Sequence, residues 1–262
     1  MKICRFIDPE TQRPSFGIIV GEEVFSLRGD LSEGNLSLEG VEPSLRLSEA
    51  HLLPPVSPSK IVCVGRNYSE HAAELGNPMP KEPLLFLKAP SALIADGQAI
   101  ELPKASERVE HEGELAVVIG RRCGRLSPEE DPLAYVLGFT CLNDVTARDL
   151  QRRDIQFTRG KSFDTFCPVG PFVVTGLDPT DLLVETRVNG EVRQSGRTSA
   201  MAFPVPFLIR YISDAMTLEA GDLIATGTPA GVGPLNDGDV VEVSVEGVGT
   251  LRNPVRGPSV DV

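Results

Sequence analysis

The segment Glu112-Gly-Glu-Leu-Ala-Val-Val-Ile119 constrains this chain more than any other. Leu115–Ile119 has no polar residue and is β-branched in character, which reads as a buried strand. Residues two apart on a strand share a face, so the carboxylates of Glu112 and Glu114 project together at its mouth. Two like charges there repel each other and lose hydration, and something cationic should compensate. A hard divalent ion with oxygen ligands does so economically, and Asp144, at the end of the apolar run Val136–Leu142, is the natural third ligand. All-oxygen ligation favours Mg2+ or Mn2+ over zinc and leaves positions for water and a substrate. The alternative is a solvated strand end carrying an ordinary pair of surface carboxylates.

Short apolar runs recur on both sides of this segment. Strands are expected at Ile3–Ile7, Phe16–Val20, Val24–Leu27, Ile61–Gly65, Leu84–Leu87, Ser91–Ile94, Leu115–Gly120 and Val136–Leu142. Further ones follow at Phe172–Thr175, Val184–Val188, Leu223–Thr226, Val240–Val245 and Gly249–Leu251. Helical patterns are few: one or two turns over Ser69–Leu75 and a longer stretch over Pro206–Met216. Thr146-Ala-Arg-Asp149 has the form of a helix N-cap and predicts a helix just after Asp144. With 25 Gly and 22 Pro punctuating the strands, the fold class is α+β and β-rich, a mixed sandwich or roll. Pro54-Pro-Val-Ser-Pro58 cannot donate several backbone hydrogen bonds and marks a boundary. It separates a small N-terminal β module, residues 1–53 with a polar stretch over Ser32–Ser48, from a main domain, residues 57–257.

Composition excludes several function classes. No apolar run approaches the ~20 residues of a membrane span, and Met1–Ile7 enters a strand-like pattern directly. The five cysteines are scattered without CxxC spacing and read as reduced thiols of a cytoplasmic protein. A net charge of −12 argues against nucleic acid and anionic membranes as partners. An anionic substrate would then need a local basic patch, and Arg148, Arg152, Arg153, Arg159 and Lys161 supply one. Arg152, Arg153 and Arg159 read as a solvated helix face, whereas Arg148 and Lys161 adjoin the carboxylate segments.

Two further constellations carry chemistry. His71 precedes Glu74 by three residues, so on a helical turn they share a face. A carboxylate beside an imidazole raises its basicity and fixes its tautomer, as a water-activating base requires; a structural histidine is the competing reading. His51 and His111 have no comparable partner and read as structural. Thr226-Gly-Thr-Pro-Ala-Gly-Val-Gly233 follows a strand but lacks the Lys-Ser/Thr of a phosphate-binding loop. It is either a tight turn or a loop offering the Thr228 hydroxyl to a substrate oxygen.

Together, Val64-Gly-Arg-Asn-Tyr-Ser-Glu-His71, Glu112–Gly120, Asn143-Asp-Val-Thr-Ala-Arg-Asp-Leu-Gln151, Arg159-Gly-Lys-Ser-Phe-Asp-Thr-Phe-Cys-Pro168 and Thr226–Gly233 resemble the fumarylacetoacetate hydrolase family, over roughly residues 60–256. The resemblance implies its mixed β-sandwich roll, usually a homodimer, with Mg2+ or Mn2+ on Glu112, Glu114 and Asp144. It implies a water-activating pair at His71 and Glu74 on a segment that can order as a lid. Lys161 matches a lysine lining the site, and Arg148, Gln151 and Thr228 match positions that hold substrate oxygens. Ala200 departs from the polar or acidic residue related sequences often carry there, which touches no catalytic position.

The implied activity is metal-dependent cleavage of a C–C bond in an acylpyruvate (a fumarylpyruvate-like 2,4-dioxo acid) to pyruvate and a carboxylic acid, within aromatic catabolism. The same enolate chemistry serves a 2-hydroxyhepta-2,4-diene-1,7-dioate isomerase or an oxaloacetate-type decarboxylase, and the pair His71 and Glu74 favours hydrolysis. A non-catalytic metal- and ligand-binding module is a third reading, opposed by the presence of all five residues.

Overall fold

In a computed structural model the structure describes residues 1–29, 31 and 36–258. The run Leu115–Ile119 lies in the strand Gly113–Ile119, in which every residue is buried. Its side chains alternate between two cores. Leu115, Val117 and Ile119 pack with Val184, Val243 and helix residues Leu208 and Ile212. Ala116 and Val118 pack on the opposite side with Ile61, Cys63 and Leu142. A strand covered on both faces has no solvent side on which to place polar residues, which explains its uniform composition.

This strand sits inside a 13-stranded sheet, between Val136–Asn143 and Leu223–Ala225, and beyond the latter come Ile61–Gly65 and the edge strand Leu84–Lys88. On the other side Val136–Asn143 is followed by Cys167–Val174, and then by the N-terminal strands Lys2–Ile7, Pro14–Val20 and Glu23–Arg28. Lys2 and Ile3 pair with Val174 and Val173, so the N-terminal strands extend the large sheet. A 5-stranded sheet that includes Val240–Val245, Leu183–Val188 and Glu191–Arg197 packs over the middle of the large one. The helices are α1 (Ser69–Glu74), α2 (Arg148–Arg153), α3 (Thr158–Lys161) and α4 (Val205–Ala215). Only α4 is long, and it buries Val205, Leu208, Ile209 and Ile212 at helical spacing. Among the described residues no helix is long and apolar enough to cross a membrane.

Three local expectations are corrected. Over Ser91–Ile94 only Leu93 and Ile94 are extended, because Pro90 opens a 3-10 turn over Pro90–Ala92. Thr146 does not cap a helix: Thr146 and Ala147 pair with Glu110 and Val109, the Thr146 hydroxyl donates to the Asp144 carbonyl at 2.8 Å, and α2 starts only at Arg148. The strand Glu191–Arg197 was not expected at all. It forms a hairpin with Leu183–Val188 through Asn189 (φ 54°) and Gly190 (φ 82°), the left-handed pair that Asn-Gly turns supply. Part of the polar stretch expected over Ser32–Ser48 lies outside the described residues.

Candidate active site

Glu112 and Glu114 fall on the side of Ala116 and Val118, as alternation requires. Gly113 pairs with Asn143, and the Asp144 N–H donates to the Glu112 carbonyl at 2.8 Å, so the end of the neighbouring strand brings Asp144 alongside. Carboxylate oxygens of Glu112, Glu114 and Asp144 lie within 4.8 Å of one another, and all three residues are buried. Gly113 cannot carry a side chain here, because a Cβ would stand 2.0 Å from Thr186 Oγ1.

Two lysines and an arginine answer this charge. Lys161 Nζ donates to Glu112 Oε2 at 2.7 Å and to Asp144 Oδ2 at 2.6 Å. Lys88 Nζ donates to Asp144 Oδ1 at 2.6 Å. Arg148 donates from Nη2 to Glu112 Oε1, from Nε to Glu110 Oε2 at 2.6 Å and from Nη1 to Gln151 Oε1 at 2.5 Å. Arg148, Lys161 and Lys88 are themselves buried, as are the carboxylates they meet, so each of these ion pairs is desolvated.

Burial pushes the Glu112 carboxyl up, but Lys161 and Arg148 beside it prevail and hold it well below the usual carboxylate range. Burial likewise opposes the charge on Lys161, and Asp144 and Glu112 more than offset it, leaving the ammonium pKa raised. Glu114 differs. Its one hydrogen bond comes from the Gly227 backbone N–H at 2.7 Å, and no side-chain cation pairs with it among the described residues. Burial, with Asp144 and Glu112 adjacent, pushes its carboxyl well above the usual range. A buried carboxylate that lacks a cation, at the meeting point of three, is the observation that fits this donor set to a hard divalent ion.

The cavity that the three carboxylates line is also lined from α1, by His71. His71 is 5% exposed, and its Nδ1 lies 3.4 Å from Glu74 Oε2. The two face each other without the alignment of a hydrogen bond, and Nδ1 has no other partner. Both Glu74 oxygens accept the Gly231 N–H, at 3.1 and 3.2 Å, which ties α1 to the glycine-rich loop. Asn67 makes a second tie, donating to the Thr226 carbonyl at 2.7 Å.

His71, the three carboxylates, Arg148, Gln151, Lys161 and Thr228 all line one cavity of about 360 Å3; Glu74, beside His71, does not line it. Arg152 also borders it, whereas Arg153 and Arg159 are exposed and paired with Asp154. The Thr228 hydroxyl donates to the Gly113 carbonyl at 2.8 Å and accepts from Gln194 Nε2 at 2.7 Å.

The sequence reading missed three contributors. Glu110 continues the alternation of Glu112 and Glu114, a visible signal. Lys88 ends the apolar run Leu84–Leu87, a weaker one. Gln194 had none, since it lies on the unexpected strand; its Oε1 accepts the Gly113 N–H at 3.0 Å and faces His111 Nδ1 at 3.1 Å.

Comparison with known proteins follows the same lines. Residues 60–256 match a family model described as the fumarylacetoacetate (FAA) hydrolase C-terminal region, and residues 1–55 match one described as Rv2993c-like, N-terminal. An oxaloacetate tautomerase of Bacillus subtilis is 46% identical over 224 residues, which cover 80% of this chain and 74% of that protein. The crystal structure of a 2-hydroxyhepta-2,4-diene-1,7-dioate isomerase from Mycobacterium marinum superposes with a TM-score of 0.89 at 42% identity, covering 98% of each chain. A fumarylacetoacetate hydrolase from the psychrophile Exiguobacterium antarcticum superposes with a TM-score of 0.82 at 40% identity, covering 98% of this chain and 99% of that one.

Proposed function

Because the chain belongs to the fumarylacetoacetate hydrolase family, whose members include isomerases, tautomerases and hydrolases, we propose that it hydrolyses the C–C bond of an acylpyruvate to pyruvate and a carboxylic acid. The observation that carries this reading is His71, with Glu74 beside its Nδ1, lining the same cavity as the three carboxylates. Hydrolysis needs an activated water, and an imidazole with Nδ1 turned to a carboxylate has Nε2 left to take the proton.

Glu112, Glu114 and Asp144 would hold Mg2+ or Mn2+, which when bound supplies positive charge opposite the enolate oxygen of the departing pyruvate unit. Glu74 orients the imidazole, and His71 accepts a proton from water as its oxygen bonds to the acyl carbon. The bond from that carbon to C3 then breaks, its electron pair passing to the pyruvate enolate, which is protonated at C3. Lys161 uses two of its three N–H donors on Glu112 and Asp144, and the third is available to the acyl oxyanion. Arg148, spent on Glu110, Glu112 and Gln151, first fixes the position of Glu112. Burial of these groups away from bulk water strengthens each interaction.

Metal-stripped protein with acetylpyruvate and fumarylpyruvate, with and without Mg2+ or Mn2+, tests the proposal; metal-dependent pyruvate release is expected. A second reading, enol–keto interconversion of oxaloacetate, is supported by the Bacillus subtilis relative. Loss of the oxaloacetate enol absorbance without release of pyruvate from acylpyruvates would favour it. The homodimer is part of the proposal and is read by light scattering.

A further inference from the structure

His111 directly precedes the first metal carboxylate, and alternation turns its side chain away from the face of Glu110 and Glu112. It is buried against the 5-stranded sheet, where its Nδ1 lies 3.1 Å from Gln194 Oε1 on the strand Glu191–Arg197. Two backbone groups settle which way that amide points. The Gly113 N–H can only donate, and Oε1 accepts it at 3.0 Å; the Pro229 carbonyl can only accept, and Nε2 donates to it at 2.7 Å. Oε1 can therefore offer His111 nothing but a lone pair, so Nδ1 carries the proton. With the other Nε2 proton on Thr228 Oγ1 at 2.7 Å, both lone pairs and both protons of the amide are taken.

The amide grips the loop 227–233, which touches both halves of the site. At its start the Gly227 N–H meets Glu114, and the Thr228 hydroxyl meets the Gly113 carbonyl. Further on, the Gly231 N–H meets both oxygens of Glu74. Gly231, at φ 101°, lies so close to the strand of Gln194 that a Cβ would stand 2.0 Å from the Arg193 carbonyl oxygen. At the loop's end Gly233 pairs with His111 itself. His111 thus meets the loop twice, through its backbone at one end and through Gln194 in the middle. The last torsion of a glutamine is intrinsically broad, so the plane of its amide is set by its partners. Without the imidazole, one lone pair of a buried oxygen is left open and the plane loosens.

Resting on the assignment of the metal carboxylates and of His71 as the base, we infer that His111 is a positioning residue. Its Nδ1–H locks the Gln194 amide, and the locked amide holds the loop whose Gly227 meets Glu114 and whose Gly231 meets Glu74. Metal carboxylates and base are in this way kept in one frame by a residue that touches neither metal nor substrate.

The test sets His111→Leu, which removes the N–H, against His111→Asn, which keeps one, because Nδ2 of asparagine, like Nδ1 of histidine, is bonded to Cγ. Mn2+ affinity, titrated calorimetrically on folded protein, should fall about tenfold in His111→Leu, the lower end of what losing a residue that orients a metal ligand costs. It should return close to wild type in His111→Asn. Adding His111→Leu to Gln194→Leu should weaken Mn2+ binding no further, since the path runs through Gln194. In metal-free protein, hydrogen exchange at the Gly113 and Gly231 amides should quicken in the leucine variant and not in the asparagine one. Wild-type affinity and exchange in His111→Leu overturn the inference. An equal loss in His111→Asn, or an additive loss in the double variant, does so too. Nitrogen NMR of the unsubstituted protein needs no variant to fold: a protonated Nδ1 is expected, and a bare one overturns the inference. If the wild-type protein binds no Mn2+, the metal assignment falls by itself, and exchange at Gly113 and Gly231 still decides the role of His111.

Discussion

Lys161 Nζ bridges Glu112 Oε2 and Asp144 Oδ2 at 2.7 and 2.6 Å, so a single buried ammonium serves two of the three carboxylates while the third, Glu114, has none. This asymmetry makes Lys161 structural as well as chemical. Lys161→Met should destabilise the metal-free protein by roughly 3–5 kcal/mol, the range for breaking a buried ion pair from one side. Added Mn2+ should recover part of the loss by taking over the compensation. Thermal unfolding with and without Mn2+ measures both; an unchanged melting temperature in the variant would show that the bridge contributes nothing.

Glu114 predicts a pH dependence of definite sign. Its carboxyl is held well above the usual range in the folded protein by burial and by Asp144 and Glu112. Between the ordinary glutamate value of about 4.3 and the raised one, the folded state therefore binds more protons than the unfolded state. Stability of the metal-free protein from this group is fully present below the ordinary value and falls as pH rises through that window. Glu112, held low, works in the opposite sense at acid pH: its contribution is lost as pH falls below the ordinary value. Denaturant titrations in EDTA at several pH values should show the decline, and Glu114→Gln should flatten it. A metal must displace the Glu114 proton, so Mn2+ affinity should rise with pH in wild type and be weak throughout in Glu114→Gln.

The pair His71 and Glu74 separates chemistry from metal binding. His71→Ala should lower kcat by about 10²–10⁴-fold, the usual span for a general base. Mn2+ affinity should stay close to wild type, because His71 donates to no carboxylate of the triad. Glu74→Gln should cost less, since Glu74 acts through His71 and also receives the Gly231 N–H. Full turnover in His71→Ala would remove the imidazole from the mechanism.

How much of this was legible in the sequence follows from the physics of each residue. Leu115–Ile119 announces itself because a strand between two cores admits no polar residue, and alternation then places Glu112 and Glu114 without further information. Glu191–Arg197 is silent for the opposite reason: it is an edge strand whose one fully buried residue is polar Gln194, so composition resembles a loop. The Asn189-Gly190 turn was the readable signal. Lys88 reaches Asp144 from 56 positions away, and such long-range pairing depends on strand order, which local pattern does not encode. Thr146 shows a motif losing to tertiary structure, since its hydroxyl and its pairing with Glu110 are both committed elsewhere.

Gln194 leads to the last prediction. Its Oε1 accepts the Gly113 N–H, and its Nε2 donates to Thr228 Oγ1 and to the Pro229 carbonyl, each at 2.7 Å. Thr228 in turn donates to the Gly113 carbonyl. Both polar groups of the residue between Glu112 and Glu114 are thus held, directly or through Thr228, by a side chain from the second sheet. The same side chain grips the loop whose Gly227 N–H meets Glu114. Gln194→Leu strands the Gly113 N–H and the Pro229 carbonyl, and each stranded buried group costs roughly 1–3 kcal/mol. Gln194→Glu keeps the acceptor for Gly113 but gives up the donors to Thr228 and Pro229. Stability should therefore fall most in the leucine variant, while Mn2+ affinity, measured calorimetrically on folded protein, should weaken in both. Wild-type affinity in Gln194→Glu would show that the metal carboxylates keep their positions without the Thr228 and Pro229 hydrogen bonds.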